Sequence, residues 1–167
     1  MSLVVRDAAA ADFAGIAEIY AHHVLHGFGT FEEVPPTHDE MLERFGRVTE
    51  AGLPYLVGAE PETNRVLGYA YAAPYRPRSA YRFTVEDSIY VAPAAQRHGV
   101  GFALLTRLVE RCAAAGMKQI VAVIGDSANR PSIAVHERCG FRLTGVLTAV
   151  GFKRNRWVDT AIMQRAL

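Results

Sequence analysis

Cysteine is scarce in this chain of 167 residues, tryptophan occurs once and net charge is almost absent. Each shortage removes a class of explanation. Cys112 and Cys139 lack C-x-x-C spacing, which excludes a disulfide framework and a thiolate metal knot and fits reduced thiols. Eighteen Lys and Arg against seventeen Asp and Glu leave a net charge of +1 with no charge run, so no nucleic-acid surface and no charged tail is expected. Ile120 to Ile124 is as long as any unbroken apolar run and far too short to cross a bilayer. Arg6, Asp7 and Asp12 interrupt the stretch where a signal-peptide core would lie, and a cytoplasmic location without membrane contact is expected. The six histidines show no ligand spacing, and no metal is expected. No glycine follows Gly99 and Gly101 at the third position of a dinucleotide fingerprint, where Leu104 stands, and no Gly-Lys is followed by Ser or Thr.

What is present is ordinary for a globular protein: 50% hydrophobic residues, 21% charged, and a length that implies a single domain over 1–167. The pattern predicts a strand at 3–6, a helix at 12–25 with apolar Phe13, Ile16, Ile19, Tyr20 and Val24, and a loop at 27–36. Thr37 with Glu40 forms a capping box before a helix ending near Gly52. Strands are predicted at 55–59, 66–73 and 82–91, with an irregular basic segment at 74–81. A glycine turn, a helix to Ala115, a strand at 119–124, a helix at 129–138 and a strand pair at 142–152 and 157–164 complete the order β-α-α-β-β-β-α-β-α-β-β. No repeat or linker interrupts it.

The glycine turn, Gln96-Arg97-His98-Gly99-Val100-Gly101, lies between strand and helix. It leaves the first helical N–H groups bare at the positive end of a helix dipole, a site for phosphate. The pattern resembles the acetyl-CoA pyrophosphate loop of the GCN5-related N-acetyltransferases, the GNAT superfamily. The likeness covers nearly the whole chain: Val91 ends the strand before the loop, Asn129 opens the next helix, and Gly140-Phe141 begins the terminal strands. It implies the GNAT fold, α/β (α+β), with a central mixed, mostly antiparallel twisted sheet flanked by helices.

Residues 74–91, 121–125, 143–152 and 156–159 resemble more closely the phosphinothricin N-acetyltransferases and their relatives that acetylate methionine sulfoximine and methionine sulfone. That resemblance implies acetyl-CoA as donor, a small-molecule amine acceptor and a homodimer. It leaves open a peptide N-terminus, a polyamine or an antibiotic amine as acceptor, and a non-catalytic acyl-CoA sensor.

Amine acetylation needs a neutral amine, and Glu86 resembles the subfamily's general base; partial burial would raise its pKa usefully. The alternative is a glutamate that binds the ammonium or pairs with an arginine such as Arg82. Asn129, Ile133 and His136 share a helix face. Asn129 is expected to cap the helix and bond the pantetheine arm, with Ser132 on the cofactor side. His136 stands where many GNAT enzymes carry a tyrosine acid; it would protonate the departing thiolate, hold the thiol, or simply be a buried histidine bonded to backbone. Backbone groups of Ile89, Tyr90 and Val91 are expected along pantetheine, and Arg97, His98, Gly99, Val100, Gly101 and Phe102 around the pyrophosphate. On the acceptor side stand Phe31, Glu32, Arg76, Arg78, Tyr81 and Glu86, the arginines suited to an anionic group. Lys153 and Arg154 are expected to reach a neighbouring subunit's site.

Overall fold

The computed structural model describes residues 2–167. Its elements in chain order are β1 (Val4–Asp7), α1 (Phe13–His26), α2 (His38–Glu50), β2 (Tyr55–Ala59), β3 (Val66–Pro74), β4 (Thr84–Val91), α3 (Val100–Ala114), β5 (Gln119–Gly125), α4 (Arg130–Arg138), β6 (Arg142–Lys153) and β7 (Arg156–Ala166). The seven strands form one sheet in the order β1-β2-β3-β4-β5-β7-β6. Every neighbouring pair is antiparallel except β4 and β5. This is the mixed, mostly antiparallel sheet that the sequence implied.

Alternation along the strands divides the core between two faces. Tyr55, Tyr71 and Ser88 stand in one cross-strand row and Val57, Tyr69 and Tyr90 in the next. Helices α1 and α2 cover that side: Phe13 and Phe45 meet the Tyr55 ring at 5.6 and 5.3 Å, and Tyr20 meets Tyr90 edge-on at 5.0 Å. The opposite face lies under α3, where Val100, Leu104, Leu105 and Leu108 are buried. The capping box forms as expected: Thr37 Oγ1 accepts from the Glu40 amide at 3.2 Å, and Glu40 Oε2 accepts from the Thr37 amide at 2.6 Å. Two orphan donors of α2 are thereby satisfied.

One expected element is shorter than the pattern implied. β4 begins at Thr84, because Ser79–Tyr81 close a 3-10 turn and Arg82 is itself helical in backbone. The Arg82 guanidinium donates to the Ser79 carbonyl at 3.1 Å and lies over the Phe83 ring at 4.7 Å. It therefore does not share the strand face of Glu86, and the pairing of those two side chains is not formed.

Candidate active site

The parallel ladder between β4 and β5 stops at Asp87 and Ala122. Beyond it, Ile89 to Val91 pair only with β3, and Val123 to Gly125 only with β7, so the sheet opens into a gap. A cleft of about 770 Å³ occupies this gap. Antiparallel pairing sends successive residues' polar groups to alternate sides. The Ala92 amide bonds the Leu67 carbonyl, so Tyr90, two residues earlier, spends its N–H and C=O on Tyr69. Ile89 and Val91 turn theirs to the gap. The Tyr90 backbone is thus committed to β3, against expectation, and its ring packs against Tyr20, Tyr69 and His23. The Val91 carbonyl is also taken, since His23 Nε2 of α1 bonds it at 2.9 Å. Burial pulls the His23 pKa down, which favours a neutral ring donating its Nε2 proton. Ile89 is left with edge N–H and C=O groups free for an extended ligand.

At the far end of the cleft, Gly99 caps α3 with φ of 81°, a left-handed conformation that suits glycine. The first intrahelical bond runs from the Ala103 amide to the Gly99 carbonyl. The amides of Val100, Gly101 and Phe102 lie before it and have no helical partner, which is the anion site expected from sequence. A Cβ on Gly101 would make only ordinary contact with Val91, Ile89 and Val135, at 3.6–4.0 Å. Arg97, Gly99, Val100, Gly101 and Phe102 all line the cleft, and His98 does not. Asn129 also lines it and caps α4: its Oδ1 accepts from the Ser132 amide at 3.3 Å, leaving the side-chain NH₂ to donate elsewhere.

Glu86 lies in the cleft wall on β4, half-buried, with no ion-pair partner among the described residues. Burial, and then the neighbouring Asp87 charge, push its carboxyl above the ordinary 4.5, against the pull of Arg76. A carboxylate raised in this way is a better proton acceptor than a free one.

Asp87 points to the opposite face of the strand and meets His136. The imidazole is 2% exposed, its Nε2 stands 3.0 Å from Asp87 Oδ2, and its Nδ1 stands 2.7 Å from the Ser132 carbonyl. Both ring nitrogens thus face acceptors, which calls for protons on both. Burial pulls the imidazole pKa down, but the Asp87 bond and charge and the Ser132 carbonyl outweigh it, and the net shift is upward from 6.5. The pair ties β4, beside Glu86, to the last turn of α4. Neither ring nitrogen is left free toward the cleft. Asp87 Oδ1 is buried without a hydrogen-bond partner.

The 27–36 loop forms another wall of the cleft. It passes so near β5 that a Cβ on Gly125 would fall 1.9 Å from the Phe28 carbonyl oxygen, and one on Gly151 would fall 2.3 Å from the Phe31 ring. Phe31 lines the cleft. Glu32 does not: Arg44 of α2 holds its carboxylate at 2.6 Å. The basic segment also stays outside the cleft lining. Arg76 lies over the Tyr75 ring at 5.2 Å, Tyr81 meets the same ring at 5.6 Å, and Arg78 precedes the 3-10 turn. Arg76 alone of these is near enough to pull on Glu86. Lys153 and Arg154 are both spent within their own chain, on the carbonyls of Thr30 at 2.8 Å and His26 at 2.9 Å. Lys153, buried, is held within its own subunit, while Arg154 is exposed.

His23, Phe28, Asp87, Ser88 and Arg138 also line the cleft and escaped sequence reasoning. A signal existed for Asp87: it alternates with Val85 and Ile89 on the apolar side of a strand, and a carboxylate there demands a partner. Nothing in the sequence marks His23 among its neighbouring histidines. Among the described residues no three His, Cys, Asp or Glu gather to hold a metal ion. Burial pushes the Cys112 thiol up to about 12, which rules it out as a nucleophile at neutral pH.

A strand pair that parts beside bare helix amides offers backbone groups to an extended ligand with an anionic end. Residues 16–141 match the acetyltransferase (GNAT) family. The chain is 54% identical over 164 residues to a phosphinothricin N-acetyltransferase of Alcaligenes faecalis, covering 98% of this chain and 81% of the relative. It is 38% identical to an L-methionine sulfoximine/L-methionine sulfone acetyltransferase of Pseudomonas aeruginosa, covering 98% and 94% of the two chains. A crystal structure of a phosphinothricin acetyltransferase from Sinorhizobium meliloti in complex with AcCoA superposes with a TM-score of 0.95 at 51% identity, over 100% of this chain and 89% of that one. The parted strands, the bare amides and these likenesses together make the chain a member of the GNAT acetyltransferase family.

Proposed function

We propose that this protein transfers the acetyl group of acetyl-CoA to the amine of a small amino-acid-like acceptor of the phosphinothricin, methionine sulfoximine or methionine sulfone type. The observation that carries the reading is the gap after Asp87 and Ala122 with Glu86 in its wall. The names of the relatives support the acceptor class.

Acetyl-CoA supplies the activated acyl group as a thioester. The amides of Val100, Gly101 and Phe102 bind its diphosphate, and the free edge of Ile89 and the Asn129 side chain align its arm. Glu86 takes a proton from the acceptor ammonium, directly or through one water, and so exposes the lone pair that attacks the thioester carbon; the C–S bond then breaks, coenzyme A leaves as the thiol with the second amine proton, and Glu86 returns its proton to solvent. Strand amides facing the gap polarise the thioester oxygen. Holding both reactants in one cleft makes the step effectively unimolecular, with no acyl-enzyme required. His136 acts in this reading as an anchor between β4 and α4, since both its nitrogens are committed.

A homodimer fits the same reading. The outermost strand β6 and its hairpin partner β7 expose Leu143, Val146, Leu147, Val150, Phe152 and Trp157, an apolar row on an open sheet edge that a second copy would cover. Two free buried thiols and an acetyl-CoA donor support a cytoplasmic location.

A thiol-release assay with acetyl-CoA tests the acceptor. Phosphinothricin, methionine sulfoximine and methionine sulfone are expected to release thiol well above background, and a peptide panel is not. Activity confined to peptides would overturn the acceptor class.

A further inference from the structure

Lys153 ends β6 and is 2% exposed, a burial that an ammonium tolerates only with partners. Its Nζ donates to the Thr30 carbonyl at 2.8 Å, a contact spanning 123 residues of sequence. Thr30 is itself the pivot of the 27–36 loop. Its hydroxyl pairs with the Tyr20 hydroxyl at 2.9 Å and accepts from the Glu32 amide at 3.2 Å. The next residue, Phe31, stands in the cleft wall with its ring filling the space that Gly151 leaves empty. Gly151 and Lys153 belong to the same strand, so one short segment provides both the seat for the ring and the cation that holds the loop on it. Burial weakens the ammonium as a charge, as does Arg154, while Glu33 and Glu32 favour it. An apolar side chain of this size would fill the same space. What the lysine adds is a donor for a carbonyl otherwise left unpaired.

We propose that Lys153 is a positioning residue for the acceptor: through the Thr30 carbonyl it fixes where Phe31 stands in the cleft, and thereby sets acceptor affinity without touching either substrate. The proposal rests on the acetyltransferase reading. Two measurements separate the two claims. Turnover of wild-type protein on the amino-acid panel tests the reading; hydrogen exchange of residues 27–36 tests the strut whether or not an acceptor is known.

Lys153→Met keeps the stem and loses the donor. Exchange in 27–36 is expected to quicken about tenfold, and acceptor KM to rise about tenfold, as for loss of one hydrogen bond from a charged donor. Acetyl-CoA KM and exchange in α3 are expected to stay within about twofold, because neither contacts the loop anchor. Lys153→Arg, which retains a donor, is expected to recover most of the acceptor KM. If Lys153→Met does not fold, Tyr20→Phe removes the other anchor of Thr30 and carries the same expectation. Where both variants fold, their effects on acceptor KM should be less than additive, since they act through one residue. Unchanged exchange in 27–36, or acceptor and acetyl-CoA KM rising together, overturns the proposal.

Discussion

Glu86→Gln is expected to lower kcat by about 10²–10⁴-fold, the usual contribution of a positioned general base. Acetyl-CoA KM is expected to stay within about twofold. The groups assigned to that substrate are backbone amides of α3, the Ile89 edge and Asn129, none of which the substitution alters. Glutamine fills nearly the same volume and keeps a polar head in the half-buried site, so folding is preserved. The sign of the pH dependence follows from the environment. Burial and Asp87 raise the Glu86 pKa above 4.5, and the base works only when ionised. Wild-type kcat should therefore fall as pH drops through that raised value, and Glu86→Gln should lack this acid limb. Steady-state rates across pH decide it; a variant with wild-type turnover and the same limb would remove Glu86 from the chemistry.

The second large effect is on stability. Asp87→Ala is expected to cost about 3–5 kcal/mol in urea denaturation, the usual penalty for breaking a buried pair from one side. The Asp87 and His136 side chains are 1% and 2% exposed and 3.0 Å apart, so removing the carboxylate strands an imidazole in apolar surroundings beside Phe141. Replacing both, as Asp87→Leu with His136→Met, should recover much of the loss, because the cost lies in the orphaned partner more than in the missing attraction. The His136 pKa is raised in the folded state, so its contribution is fully present below the ordinary imidazole value and is lost as pH rises through the higher folded one. A loss under about 1 kcal/mol for Asp87→Ala would show that the pair does not hold β4 to α4.

Sequence reading went furthest where one local rule decides the outcome. The glycine turn, the Thr37 capping box and the Asn129 cap each depend on a few adjacent residues, and each forms where the pattern put it. Periodicity likewise sufficed for the strands and helices, apart from the start of β4, where a 3-10 turn displaced two residues of expected strand. The acceptor side was less legible because long-range pairing decides it. Glu32 looked available until Arg44 of the next helix was seen to hold it. The sequence suggests that Lys153 reaches a neighbouring subunit, whereas its burial rests on an approach to Thr30, 123 residues away. Gly125 and Gly151 make room for backbone and ring atoms from a loop roughly a hundred residues earlier, which no local pattern encodes. His136 occupies a family position for an acid, but its Nε2 is committed to Asp87, 49 residues away.

The central claim is direct transfer from acetyl-CoA to an amine in the gap between β4 and β5. The most direct measurement uses acetyl-CoA labelled in the acetyl group, an amino-acid acceptor from the panel, and mass spectrometry of both the acceptor and the intact protein. The account predicts label on the acceptor amine in step with thiol release, and none on the protein. Thiol released without an acetylated amine, or label held covalently on the enzyme, would contradict it.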